Sequence, residues 1–398
     1  MDSPGGAAGE SFRTEVRTWL TDHLSGEFAD LRGMGGPGRE DMDVEQRLRW
    51  NRHLAEHGWS GVGWPAEHGG RGLSLAQQVI FHEEYARSDA PARVNHLGEE
   101  LLGPTLIAFG TEEQQMRFLP KILAVDELWC QGYSEPGAGS DLANVATRAR
   151  LEGDEWVIDG QKIWTSAAQF AQWCFVVART TPGSSRHEGL SFLLVPMDQP
   201  GVEVRPIRQL TGGAEFNEVF FTGARTSADL VVGEVGGGWR VAMGLLGFER
   251  GVSTLAQQVG FERELGDLIA LAKENGSFGD PVIRDRLAQA KVELEVMWVN
   301  AVRGLSGVVA GSDSSAGGGA ASIAKLVWAN WHKRLGELAM AVLGADALTV
   351  RGAPYELDRW QSLFLFSRAD TIYGGSDEIQ RNILAERVLG LPREPKGP

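Results

Sequence analysis

Residues 156–181, WVIDGQKIWTSAAQFAQWCFVVARTT, hold two runs rich in Val, Ile, Trp, Phe and Thr, the composition of β-strands. The runs LSFLLVP (190–196), VEVRPI (202–207) and EVFFT (218–222) continue that texture. IDGQ (158–161) reads as a hairpin turn. The flanks carry another period. LSLAQQVIFHEEYAR (73–87) and TLIAFGTEEQQMRFLPKIL (105–123) space apolar residues by three and four, as helices do. Thr111 followed by Gln114 reads as a capping box. After the glycine-rich VVGEVGGGW (231–239), expected to be a hinge, helical periodicity returns and holds to the end. The run GSDSSAGGGAAS (311–322) reads as a flexible loop between helices.

Helices, strands, helices is the order of an α+β chain: a helical domain over 1–127, an antiparallel β-domain over 128–230 and a helical domain over 231–398. It argues against an alternating βαβ nucleotide fold. With 53 acidic against 38 basic residues and a formal charge of −15, nucleic acid and membrane surfaces are poor partners. Cys130 and Cys174 lie in apolar runs without metal-ligand spacing, so they read as reduced core residues of a cytoplasmic protein, with no disulfide and no metal. The N-terminus shows no secretory signal, and no apolar run reaches the ~18 residues of a membrane span.

Two stretches point to chemistry. In YSEPGAGSDLA (133–143), Gly137, Ala138 and Gly139 remove bulk so that successive N–H groups can face an anion or ring, with Ser134 and Ser140 as further donors; a purely structural loop is the alternative. In DGQKIWTS (159–166), period-two alternation puts Trp164 and Ser166 on one face of a strand, where an indole and a hydroxyl could meet a planar heterocycle. A core tryptophan under a sheet is the competing reading.

These motifs, with GWPAEHGGRG (63–72) before them and YGGSDEIQRNILAERVLG (373–390) after, resemble the acyl-CoA dehydrogenase family over nearly the whole chain. The resemblance implies that family's fold, with a C-terminal four-helix bundle, FAD as cofactor, and α,β-desaturation of an acyl-CoA thioester. On it, Tyr133, Ser134, Gly139, Ser140, Trp164, Ser166, Gly375 and Ser376 would hold the cofactor, and Ser140 and Arg250 would meet the substrate. Electrons would pass to an electron-transfer flavoprotein or similar acceptor.

One branch of the family carries its general base directly after the tyrosine of the last motif, where this chain has Gly374. A glycine takes no proton. A second branch carries a glutamate on the first helix after the β-domain, which is Glu249 in WRVAMGLLGFERGVSTLAQQ. Glu249 shares a face with Ala242, Leu245, Leu246, Ser253 and Ala256, while Arg250 cannot face it. A carboxylate isolated in that stripe should have the raised pKa a base near neutral pH requires. Glu249 would abstract the α-proton as hydride leaves Cβ for flavin N5, with the Gly374 N–H stabilising the carbonyl oxygen.

The chain departs from the family in two places. Asn275 stands where the Arg of an Arg-x-x-Phe-Gly run would reach a neighbouring subunit's pyrophosphate, and Ala341 and Ala345 replace the Gln and second Gly of a Gln-x-x-Gly-Gly run. Losing one such charge-assisted bond costs roughly 1.5–3 kcal/mol. The chain is therefore expected either as a homo-oligomer using other contacts, or as the base-bearing partner of a paralogous subunit, like the bacterial heterotetrameric dehydrogenases that trim steroid side chains. A flavin oxidase or monooxygenase on the same fold and a non-catalytic interaction subunit are the alternatives. Gly244, Gly247 and Gly251 near Glu249 either make room for a bulky acyl group or serve close helix packing.

Overall fold

The computed structural model describes residues 6–249, 253–309, 317–350 and 356–393, setting aside the side chains of 7, 249, 253–256, 304–309 and 317–318. The chain opens with helices α1 (Ala7–His23), α2 (Val44–Glu56), α3 (Leu75–Arg87), α4 (Gly103–Phe109) and α5 (Glu112–Leu123). Both α3 and α5 start at reciprocal capping boxes, Ser74 with Gln77 and, as expected, Thr111 with Gln114. Val16 and Leu20 of α1 close on Trp50 and Leu54 of α2 and on Ile80 and Phe81 of α3.

Strands β1 (Trp129–Gly132), β2 (Arg148–Glu152), β3 (Glu155–Ser166), β4 (Trp173–Arg179), β5 (Leu190–Pro196), β6 (Val202–Ile207), β7 (Phe216–Ser227) and β8 (Val231–Val232) form one sheet, ordered β6-β7-β3-β2-β4-β5-β8 with β1 on β4. The antiparallel domain expected from the sequence is in fact mixed: β1 and β2 both run parallel to β4. A long loop, not a tight hairpin, links β1 to β2, so nothing reverses the chain there. IDGQ is not a turn either, because β3 runs through it and the chain reverses at Gly153–Asp154. The glycine it contains answers a close approach, since a Cβ on Gly160 would lie 2.7 Å from Thr147 Cα.

β4 is buried on both faces, which explains its unbroken apolar run. Phe175 and Val177 pack with Phe192 and Leu194 of β5 under the helices, while Cys174 and Val176 pack with Leu193, Val195, Val219 and Phe221. Helix α6 (Gly238–Glu249) lays Val241, Ala242 and Leu245 on the first of these clusters. Its entry is a tight crossing rather than a hinge: a Cβ on Gly238 would lie 2.4 Å from the Ser191 carbonyl carbon.

The chain divides into two compact units, residues 1–209 with 213–251, and 210–212 with 252–398. The second unit comprises α7 (Ser253–Glu274), α8 (Pro281–Val309), α9 (Gly317–Leu343), α10 (Arg359–Phe366) and α11 (Asp377–Ile383), around Phe261, Leu268, Leu294, Trp331, Leu338 and Trp360. Because α9 begins at Gly317, residues 317–322 of the expected loop are helical, and residues 311–316 lie outside the described residues. Helical flanks around a mixed sheet make an α+β fold. No described helix is long and apolar enough to cross a membrane.

Candidate active site

The two chemical motifs of the first unit meet backbone to backbone, the Ile163 N–H donating to the Ser134 carbonyl at 2.9 Å. A buried ion pair holds them there. Lys162, fully buried on β3, donates to the carbonyls of Tyr133 (3.0 Å) and Val177 (2.8 Å) and to Glu135 Oε1 (2.8 Å), so its three hydrogens are all used. Glu135 also accepts the N–H groups of Ala146 (2.6 Å) and Thr147 (3.0 Å), pinning the far end of the loop. Burial pushes the Glu135 carboxyl up, but the Lys162 ammonium and these hydrogen bonds outweigh it and hold the carboxyl below its ordinary value. Burial pushes Lys162 down, against the pull of Glu135.

Within the loop, Glu135 and Ala138 exchange both backbone hydrogen bonds at 3.0 Å. The Ala138 N–H is therefore spent in a turn, which corrects the expectation that it faces a ligand. Gly137, Gly139 and Ser140 are exposed, and a Cβ on either glycine would meet nothing within 4 Å among the described residues. Tyr133 turns its ring into the core, edge-on to Phe175 and Phe192 at 6.1 and 6.3 Å, and Ser134 is half-buried.

Between Lys162 and Thr165 the pairing of β3 with β7 shifts register at a bulge. Lys162 and Thr165 both point inward despite their odd spacing, leaving Trp164 and Ser166 together on the outer side. Trp164 is 56% exposed, its indole edge-on to Phe216, at a backbone φ of 59°. A core tryptophan is ruled out. Left-handed backbone costs a non-glycine residue roughly 1–2 kcal/mol, so a strained residue here presents an apolar ring to the outside.

Glu215 went unnoticed in the sequence because it sits in a β-rich run. It is buried just before β7, where it accepts the N–H groups of Gly38 (3.0 Å) and Glu40 (2.9 Å) and its own carbonyl accepts the Ala167 N–H (3.0 Å). Burial pushes its carboxyl up to about 7. It thus laces residues 38–40 to the strand end beside Ser166.

Glu249 is the last residue of α6; its side chain and all of Arg250 lie outside the described residues. The glycines before them divide. A Cβ on Gly244 would lie 2.5 Å from Phe109 Cε2, a packing requirement, whereas one on Gly247 would meet nothing within 4 Å among the described residues. Gly251 lies outside the described residues.

In the second unit, Gly374 and Gly375 adopt φ of 61° and 88°, and buried Gln380, also missed, donates to both their carbonyls at 3.3 and 3.2 Å. Ser376 caps α11, accepting the Ile379 N–H at 3.4 Å. Tyr373 before them donates to Asp370 (2.7 Å), which also pairs with His332 Nδ1 (2.6 Å), while His332 Nε2 meets Glu264 at 3.1 Å. Asn275 is used internally. Its Nδ2 donates to the Val342 carbonyl (2.8 Å) and its Oδ1 accepts the Ser277 N–H (3.0 Å), so the end of α7 is tied to the end of α9 beside exposed Ala341. Ala345 is exposed just beyond. The departures in the sequence thus gather at one corner of this unit.

Sequence models of the acyl-CoA dehydrogenase N-terminal, middle and C-terminal domains match residues 7–126, 130–224 and 236–389. Acyl-CoA dehydrogenase IpdE1 of Mycobacterium tuberculosis is 62% identical over 98% of this chain and 99% of that protein. Among solved structures, the Tcur3481-Tcur3483 steroid ACAD is 32% identical with a TM-score of 0.85, covering 99% of this chain and 100% of that one. The ChsE4-ChsE5 complex from Mycobacterium tuberculosis is 29% identical with a TM-score of 0.79 over 99% and 100%.

Proposed function

This chain belongs to the acyl-CoA dehydrogenase family and is an acyl-CoA dehydrogenase, an oxidoreductase, and from that premise we propose that it desaturates an acyl-CoA thioester between Cα and Cβ as the base-bearing subunit of a heteromeric, FAD-dependent enzyme. The family is flavin-dependent, and the residues present fit the cofactor. The observation that carries the reading is Trp164, an exposed indole held out at a strained bulge beside Ser166 and the Ser134 backbone. Open space over Gly137 and Gly139 agrees with it.

Trp164, Ser166, Tyr133, Ser134, Gly139 and Ser140 of the first unit, and Gly375 and Ser376 of the second, are the residues assigned to FAD. When bound, the chemistry it supplies is acceptance of the hydride leaving Cβ. Glu249 takes the α-proton, which is acidic enough only if charge on the thioester oxygen is stabilised, the role given to the Gly374 N–H. Ser140 and Arg250 bind the acyl-CoA. An electron-transfer flavoprotein or similar acceptor reoxidises the enzyme.

The heteromeric part rests on Asn275 and Ala341, which cannot give a neighbouring cofactor site the contacts an Arg and a Gln would. Two relatives that pair differently named chains, Tcur3481-Tcur3483 and ChsE4-ChsE5, support it, and the steroid name of the first, with the side of Gly247 left open by the described residues, favours a bulky polycyclic acyl group. A cytoplasmic location suits the two free, buried cysteines.

The test is the visible flavin absorbance of the chain purified alone and after co-expression with an acyl-CoA dehydrogenase paralogue, followed by anaerobic bleaching with acyl-CoA. A chain that is colourless alone and yellow with its partner is the expected result; full occupancy alone would sink the heteromer. Glu249→Gln should slow bleaching by about 10²–10⁴-fold, and near-normal bleaching would remove Glu249 as the base.

A further inference from the structure

His23, the last residue of α1, and His53 and His57, one turn apart at the end of α2, bring one ring nitrogen each to within 4.8 Å of one another. The proposed dehydrogenation uses none of them. His23 Nδ1 and His53 Nε2 are 2.7 Å apart, a hydrogen bond in which one ring supplies the proton. His57 Nδ1 lies 2.8 Å from the His53 carbonyl, which fixes its proton there and leaves a lone pair on Nε2, the arrangement that orients a histidine ligand.

The surroundings favour a cation. All three rings stand at helix C-termini, where unpaired carbonyls carry partial negative charge. Glu27 and Glu56 add negative field to His53. Trp19 stacks on His23 at 4.3 Å and flanks His53 at 5.8 Å and His57 at 5.5 Å, walling the cluster and limiting ring rotation.

We propose that His23, His53 and His57 form a binding site for a divalent transition-metal ion, zinc being the best fit, that fastens the end of α1 to the end of α2. Imidazole nitrogens select zinc, nickel or copper over magnesium and calcium, which prefer oxygen. At zinc–nitrogen distances of about 2.0–2.1 Å, tetrahedral ligands stand about 3.3 Å apart. The 2.7 Å contact opens slightly and the widest separation closes, both within reach of ring rotation. A water or an external ligand takes the fourth position.

The experiment titrates ZnCl2 into the 398-residue chain, made without a histidine tag and stripped of metal, in its complex with the partner subunit if the chain requires one. About one zinc per chain should bind by calorimetry, with the thermal midpoint raised by at least about 3 °C, while MgCl2 does neither. His57→Gln, at an exposed ring that leaves the fold intact, should weaken binding at least about tenfold, as should His53→Ala. No saturable binding, or equal binding in wild type and His57→Gln, would overturn the site.

Discussion

Lys162 spends every ammonium hydrogen inside the protein, and the loop that carries Ser134 and Ser140 is held in place by that one side chain and its partner Glu135. Removing one member leaves the other charged and buried. Lys162→Met should therefore cost about 3–5 kcal/mol in chemical denaturation, with much of the loss recovered by adding Glu135→Leu. Trp164→Ala is the contrasting case: the ring is exposed, so stability should change by no more than about 0.5 kcal/mol, while flavin retention after gel filtration should fall. A packing residue would show the reverse. Alternation along the strand is enough to put Trp164 and Ser166 on one side, whereas the bulge that turns Lys162 and Thr165 inward together is invisible in composition. Lys162 and Glu135 both lie in quoted motifs, yet their pairing depends on a loop returning across 27 residues, which local spacing does not encode.

Among the elements, helix starts were legible and strand directions were not. Thr111 and Gln114 cap α5 through contacts made within one turn, whereas the parallel runs of β1 and β2 on β4 follow from long connections. The Asp-Gly of β3 failed as a turn signal because Gly160 serves a close approach to Thr147. In the second unit, α9 carries a charge link to its neighbours through His332. Burial pushes this imidazole down, but Asp370 and Glu264 outweigh it and raise it to about 10. Raised above the ordinary 6.5, its contribution is complete below that pH and drains away as pH climbs toward 10. Thermal midpoints should fall across pH 7–10, and His332→Gln should flatten that slope while costing on the order of 2–4 kcal/mol at pH 7.

For the whole molecule, layer order and class could be read from the change of period near residues 128 and 231, and the corner holding Asn275 and Ala341 could be suspected from residue identity alone. Their adjacency could not, since it depends on the Asn275 bond to Val342. If that corner is what makes the chain need a different partner, Asn275→Arg with Ala341→Gln should raise flavin occupancy of the chain purified alone, at a cost of about 1–3 kcal/mol from the two lost hydrogen bonds of Asn275. Unchanged occupancy would direct attention to other contacts.

Helix α6 is built into the first compact unit, not the second. If Glu249 is the base and the corner of Asn275 and Ala341 selects the partner, a recombination that exchanged residues 252–398 for a paralogue's would preserve the proton acceptor and the exposed Trp164 as one inherited cassette, importing only the glycine loop and that corner. Partner choice can then drift through gene duplication while the proton chemistry stays where it began.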